Sequence, residues 1–468
     1  MHSVYYDLET TDKNTIGQIV NYCFILVNSD LDVVDELSGL VKISRLQIPD
    51  PGAILANRTD VLEHQAQAVD YEPDAMRRIA DFLSCSIQKA GGALPLIGFN
   101  SSRFDLGYLR TSFIRNGINP YFQGKIVPRD LLHVAQKAYL HCSMFRELVR
   151  KEREGEAKLS LSLQTISRAL GLLDGVQAHE SREDVLLTIR VSKWLRDSCQ
   201  LDVSTFEAYE GGRLHSTAKS GAVYLNEEPE YDLQSQGFAA RRPVTLLDAD
   251  HRSALWIDLD RYQGAADPSC IMWRSAAKNA FFISPQAVSN VEWSEVARAA
   301  LRQFRSVTLK NFFEKSTCDI EQDIYRLDFD HLDRYSKAIA ANDKSLLNEC
   351  RLPDAKVLWL RHQLASPQAT INDSAAAELL RKYAIHRYGG KLQLARTLRD
   401  EHGPEAFHST LAEMVRRLIQ AQEAAAITRN NEDLRLMSSL ERFIRESDIA
   451  KVAGQDLLPM WFSGLGRK

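Results

Sequence analysis

The chain opens with short β-rich runs that alternate with helical periods. Val4-Tyr5-Tyr6-Asp7-Leu8-Glu9, Gln18 to Val27 and Leu37 to Ile43 predict three consecutive strands, with the turn residues Asn28-Ser29-Asp30 after the second. Met76, Ile79, Ala80 and Leu83 recur at helical spacing, and Leu94 to Phe99 is a compact apolar run of the buried-strand type. Leu106, Leu109 and Phe113 form another helical stripe, stopped near Gly117 and Asn119-Pro120. Leu163, Ile166 and Leu170 form one more, ended by Gly171, and the last helix of this part runs from about Ser181 to Arg196. Strands interleaved with helices predict an α/β domain over 1–200.

From about 202 to 350 the texture changes to Gly-, Pro- and turn-rich sequence with short alternating runs, such as Pro243 to Leu247 and Ala254 to Leu259. This predicts a small β-rich domain, 201–350, with helices appended near Trp293 to Phe304. Beyond Pro353 the pattern is almost wholly helical, clearest at Ala375 to Tyr388, Phe407 to Ala426 and Leu434 to Arg445, so 351–468 reads as a helical C-terminal domain. There is no internal repeat, heptad array or low-complexity linker, which predicts parts that pack against one another.

Composition narrows the class. At 468 residues the chain exceeds a single ordinary core, and 44% hydrophobic with 26% charged residues lies near the globular average. The longest apolar run, around Ile19 to Val27, is broken by Asn21 and is about half the length that spans a bilayer, so no membrane segment is expected. Nothing before Asp7 has the charged start and apolar stretch of a signal peptide. The seven cysteines lack any CxxC pair or zinc-finger spacing and read as reduced thiols of a cytoplasmic protein. A net charge of −4 argues against coating nucleic acid by bulk electrostatics, although basic residues outnumber acidic ones over 351–468 and the reverse holds over 1–350.

The chemistry lies in the carboxylates. Side chains two apart in a strand point the same way, so Asp7 and Glu9 project from one face of the first strand while Leu8 turns to the other. Like charges so close repel unless a cation sits between them, and hard oxygen ligands suit Mg2+ or Mn2+. Asp105 follows Gly98-Phe-Asn-Ser-Ser-Arg-Phe, where an apolar strand ends and a helix begins, the end of an α/β sheet at which sites form. Asp184, five positions after His179, shares a helical stripe with Leu187, Val191 and Trp194 and so faces the sheet. Each piece also has a purely structural reading. These are a solvated strand end, a helix start favoured by the dipole, and a capping box Ser181-x-x-Asp184 with His179 a plain loop residue. Together they are more specific, because each acid appears in the required order on the required element.

These residues resemble the DEDDh exonuclease superfamily. Asp7-Leu8-Glu9-Thr10-Thr11 is similar to its first motif, Asn100 to Asp105 to its second, and His179 to Asp184 to its third. Gly98 to Asp105, and Arg129-Asp130-Leu131-Leu132 ahead of Val134 and Ala135, resemble bacterial exonuclease I within it. The motifs cover about 1–200, and the Arg252 to Leu259 run extends the likeness by architecture. Thr10 to Thr15 lacks the Phe-Gly usual in that family, and Leu106 stands where it tends to carry a second acid.

The resemblance implies a ribonuclease H-like exonuclease domain with a mixed sheet, then an SH3-like β-rich domain and a helical C-terminal domain. It implies 3′→5′ hydrolysis of single-stranded DNA to nucleoside 5′-monophosphates with two Mg2+ ions, for which Mn2+ would substitute. In that scheme Asp7 bridges both ions, Glu9 and Asp184 complete the first, Asp105 holds the second, and His179 takes the proton from the attacking water. Leu8, Thr10, Asn100, Arg103 and Phe104 are implied substrate contacts, Leu8 and Phe104 having packing readings as well. Asp130 reads as a structural acid, and Arg213, Lys219, Arg241, Arg242 and Arg252 are candidate phosphate contacts. The implied protein is a cytoplasmic monomer of DNA repair that docks on a single-stranded DNA-binding protein. Two alternatives stay open: an RNA-trimming enzyme, since the five catalytic residues do not see the 2′-hydroxyl, and a binding scaffold with little turnover.

Overall fold

The computed structural model describes residues 1–13, 17–44, 47–174, 180–213, 221–235, 237–250, 253–262, 264, 267–275, 279–284, 287–288, 291–314, 329–348, 350, 359, 362 and 404–447. The first sheet holds β1 (Ser3–Thr10), β2 (Ile19–Val27), β3 (Val33–Leu40), β4 (Leu94–Gly98) and β5 (Ile126–Asp130), in the order β3-β2-β1-β4-β5. β1, β2 and β3 form an antiparallel meander, and β4 and β5 add parallel to β1. Between and around them run α1 (Pro51–Ala56), α2 (Val61–Gln67), α3 (Glu72–Ala90), α4 (Asp105–Arg115), α5 (Leu131–His141), α6 (Ser143–Glu152), α7 (Leu163–Ala169) and α8 (Ser181–Cys199).

Alternation along β1 assigns the two faces. Val4, Tyr6 and Leu8 pack against Met76, Ile79 and Leu83 of α3 and Tyr108, Leu109 and Phe113 of α4. Tyr5 turns the other way, with Cys23 and Ile25 of β2, into a core closed by α5, α7 and α8. Asp7 and Glu9 therefore emerge on the α8 face. β3 begins at Val33, earlier than the expected Leu37. The Asn28 side chain accepts from the Asp30 and Asp32 amides (both 2.9 Å), so the hairpin reverses tightly and Val33 already pairs with Val27. Val33 and Val34 are exposed on this edge strand, which is why no burial pattern marks its start.

A second, wholly antiparallel sheet has the order β10-β6-β7-β8-β9 and comprises β6 (Val223–Pro229), β7 (Ala239–Ala249), β8 (Ser253–Asp258), β9 (Ile271–Ser275) and β10 (Phe282–Ile283). Trp256, fully buried, centres one face with Tyr209, Tyr224 and Phe281. α9 (Val291–Gln303) covers the other through Ala297 and Ala300, joined by Phe304 just beyond its end. This sheet leans on the first unit: Lys137 Nζ of α5 meets Glu210 Oε1 at 2.7 Å, and the Leu159 amide donates to the Tyr231 carbonyl at 2.8 Å.

The described residues from Val291 onward are helical: α9, α10 (Leu309–Glu314), α11 (Phe329–Ala341), a 3-10 turn at Lys344–Leu347, α12 (Pro404–Ile427) and α13 (Asn431–Glu446). α11 is not singled out by the sequence pattern. It docks on the end of α4, where Tyr335 and Leu332 pack on Ile114 and the Tyr335 hydroxyl donates to the Arg115 carbonyl (2.8 Å). α13 packs beside α2, where the Leu62 amide donates to Ser439 Oγ (2.9 Å) and Ser439 donates to Asp60 (2.6 Å). The expected helix at 375–388 lies outside the described residues.

Candidate metal centre

Asp7 and Glu9 stand at the carboxyl end of β1, half-buried, on the face covered by α8. Asp184 lies in the first turn of α8, 6% exposed, ahead of the buried Leu187 and Val191. Packing that apolar stripe on the sheet brings Asp184 in from the side: one carboxylate oxygen from each of Asp7, Glu9 and Asp184 lies within 4.8 Å of the others. Like charges 4.8 Å apart repel by roughly 3 kcal/mol at an effective dielectric of about 20. Burial, then the Asp184 carboxylate, pushes Asp7 up to about 8. Burial, then Asp7 and Asp184, pushes Glu9 up to about 9. Three hard oxygen donors this close together, with Asp7 and Glu9 resisting ionisation, fit a divalent cation, which would remove the repulsion.

Asp105 reaches the same end of the sheet from the opposite face, as the first residue of α4. It is 6% exposed and is not one of the mutually close triplet. Burial, and after it the Asp7 carboxylate, holds its carboxyl well above the usual range. Asp7 acts on Asp105 more strongly than Glu9 does.

The turn that delivers Asp105 is tightly built. A Cβ on Gly98 would come within 2.5 Å of Ser101 Cβ, so the strand exit folds back over a glycine. Asn100 takes a left-handed backbone (φ 57°) and donates its amide to Asp130 Oδ1 at 2.7 Å. Asp130 also accepts from the Ser102 amide (3.0 Å), the Ser102 hydroxyl (2.6 Å) and the Leu132 amide (3.0 Å), the last capping α5. With its oxygens engaged in this way, Asp130 is a structural acid that pins the turn.

The capping box at Ser181-x-x-Asp184 does not form. Glu180 is the cap residue and makes no side-chain cap bond, Ser181 is already helical, and its hydroxyl donates to Asn21 Oδ1 at 2.9 Å. His179 lies outside the described residues. Leu8 is 3% exposed within the core, and Thr10 is 4% exposed with its hydroxyl on the Asp12 carbonyl (2.9 Å). Asn100 and Arg103 are exposed, and the half-buried Phe104 packs on Tyr108 with ring centroids 5.1 Å apart. Arg241 is paired with Glu227 (2.9 Å) and Arg242 with Asp258 (3.4 Å), whereas Lys219, Arg252 and the Arg213 side chain lie outside the described residues. The Cys142 and Cys199 sulfurs approach to 2.8 Å. No helix among the described residues is long and apolar enough to cross a membrane.

The architecture is a five-stranded mixed α/β sheet joined to a β-rich unit and a helical C-terminal region. Among solved structures the chain shares this fold with exonuclease I. The metal-free E. coli exonuclease I complex with single-stranded DNA matches at a TM-score of 0.61 and 17% identity, over 95% of this chain and 99% of that one. A further exonuclease I structure, one discussed in terms of processivity, matches at 0.58 and 17%, over 96% and 99%. The moderately thermophilic exonuclease I of Methylocaldum szegediense matches at 0.55 and 16%, over 97% and 100%. No family model and no curated protein matches the sequence.

Proposed function

We propose that this protein is a metal-dependent 3′→5′ exonuclease that degrades single-stranded DNA to nucleoside 5′-monophosphates. The observation that carries the reading is the convergence of Asp7, Glu9 and Asp184 within 4.8 Å, with the buried Asp105 held above the usual carboxylate range by burial and then by Asp7. The fold shared with exonuclease I, including complexes with single-stranded DNA, supports it. A zinc-bound exonuclease I complex of the same fold supports a divalent metal, which we take to be Mg2+ with Mn2+ as a substitute.

Divalent ions held by these carboxylates would supply an activated water and neutralise charge at the scissile phosphate and the leaving oxygen. Asp7, Glu9 and Asp184 would hold one ion, and Asp105 with Asp7 would hold the other. His179 accepts the proton of the attacking water, a task suited to an imidazole whose ordinary pKa is near 6.5. Phe104 stacks on a terminal base while the exposed Asn100 and Arg103 contact the strand end, and the buried Leu8 and Thr10 support the β-strand that carries Asp7 and Glu9. Base stacking reads no sequence, so degradation is expected to be sequence-tolerant. The same reading makes the protein a cytoplasmic monomer of three parts, 1–200, 201–350 and 351–468, acting in DNA repair beside a single-stranded DNA-binding protein.

The test is degradation of 5′-labelled single-stranded DNA with Mg2+ by the intact protein and by Asp7→Ala, with a 3′-blocked strand and a matched RNA. Stepwise shortening of the DNA, abolished by the variant and by the block, is expected. Survival of the DNA would reduce the likeness to the fold alone, and faster loss of RNA would move the substrate to RNA.

A further inference from the structure

Asn21 is the single polar side chain in β2, whose other members are apolar or aromatic. It stands directly opposite Glu9 in the antiparallel pair, so both side chains project on the α8 face. Its Oδ1 accepts the hydroxyl proton of Ser181 at 2.9 Å. Ser181, 1% exposed, opens α8, and Asp184 lies one turn on, on the same side of the helix. The next residue, Arg182, pairs with Glu36 of β3 at 2.7 Å, but there the arginine side chain is 46% exposed and such pairs hold little. The remainder of α8 is fastened by apolar contacts of Val185, Leu187, Val191 and Leu195. The first turn, which carries Asp184 toward two like charges, is thus tied to the sheet in the interior through Ser181 and Asn21.

We propose that Asn21 is a positioning residue for the metal centre: through Ser181 it sets where the first turn of α8 presents Asp184 to Asp7 and Glu9. The proposal rests on the reading of those three acids as metal ligands. Without the bond the apolar stripe still holds the helix, while the first turn is held less firmly against carboxylate repulsion and a bound cation would lose part of its third donor.

The experiment is calorimetric titration of the full-length protein with Mn2+ in the absence of DNA, alongside thermal melting. Asn21→Ala and Ser181→Ala are each expected to raise the Mn2+ Kd about five-fold, the worth of one typical hydrogen bond. The double variant should bind no more weakly than either single one, because both remove the same bond. Ser181→Thr, which keeps the hydroxyl, should bind like the intact protein. At saturating Mn2+ the kcat on single-stranded DNA should return toward the intact value with KM for the strand unchanged. Two independent variants guard against a folding failure in one of them. If both alanine variants bind Mn2+ like the intact protein while Asp184→Ala does not, the metal centre stands and the positioning role is overturned. If Asp184→Ala also binds like the intact protein, both fall.

Discussion

Removing one charge from the acidic centre should stabilise the metal-free protein, and Glu9→Gln is the cleanest case because it keeps the side-chain shape. Glu9 has its carboxyl pushed up from 4.5 to about 9 by burial and then by Asp7 and Asp184. A carboxyl whose folded pKa is raised contributes stability that is fully present below about pH 4.5 and is lost as pH rises through 9. At pH 7 the loss is roughly 3 kcal/mol, from about 2.5 pH units above the unfolded value. In chelator the intact protein should therefore lose stability between pH 5 and pH 9, and Glu9→Gln should lose much less. Urea unfolding at pH 5, 7 and 9 reads the difference, which should be small at pH 5 and near the full value at pH 9. Saturating Mn2+ should reverse the order, because ligand binding stabilises only the chain that binds it well. A glutamine variant less stable than the intact protein at pH 9 in chelator would refute the argument that these acids oppose folding without a cation.

Asp130→Ala strands the amides of Asn100 and Ser102 and should cost roughly 3 kcal/mol in urea unfolding; it should also lower the proposed exonuclease activity by displacing the turn that carries Asp105. Gly98→Ala brings a Cβ to 2.5 Å from Ser101 Cβ. It should cost roughly 1–3 kcal/mol, with much of the loss recovered in the double variant Gly98→Ala/Ser101→Gly. Arg115→Met leaves Glu72 as a buried charge without its guanidinium and should cost roughly 3–5 kcal/mol, whereas adding Glu72→Leu should restore most of it, as melting of the intact protein and the two variants would read.

Periodicity in the sequence determined that Asp7 and Glu9 share a face, that Asp105 begins a helix after a buried strand, and that Asp184 lies on an apolar helical stripe. Each of these follows from the 2-residue or 3.6-residue repeat of local backbone geometry, which is written in neighbouring residues. Short helices such as α1 and α2 left no comparable trace, since a turn or two offers too few positions for a period to show. Tertiary structure alone decided that Ser181 spends its hydroxyl on Asn21 rather than on a cap, because that partner lies 160 residues away in sequence. In sequence Asn21 is no more than a polar break in an apolar run. The docking of α11 on α4 and of α13 beside α2 was equally unreadable. It depends on which surfaces meet when distant segments pack, and helical patterning says only that an apolar face will be covered, not by what.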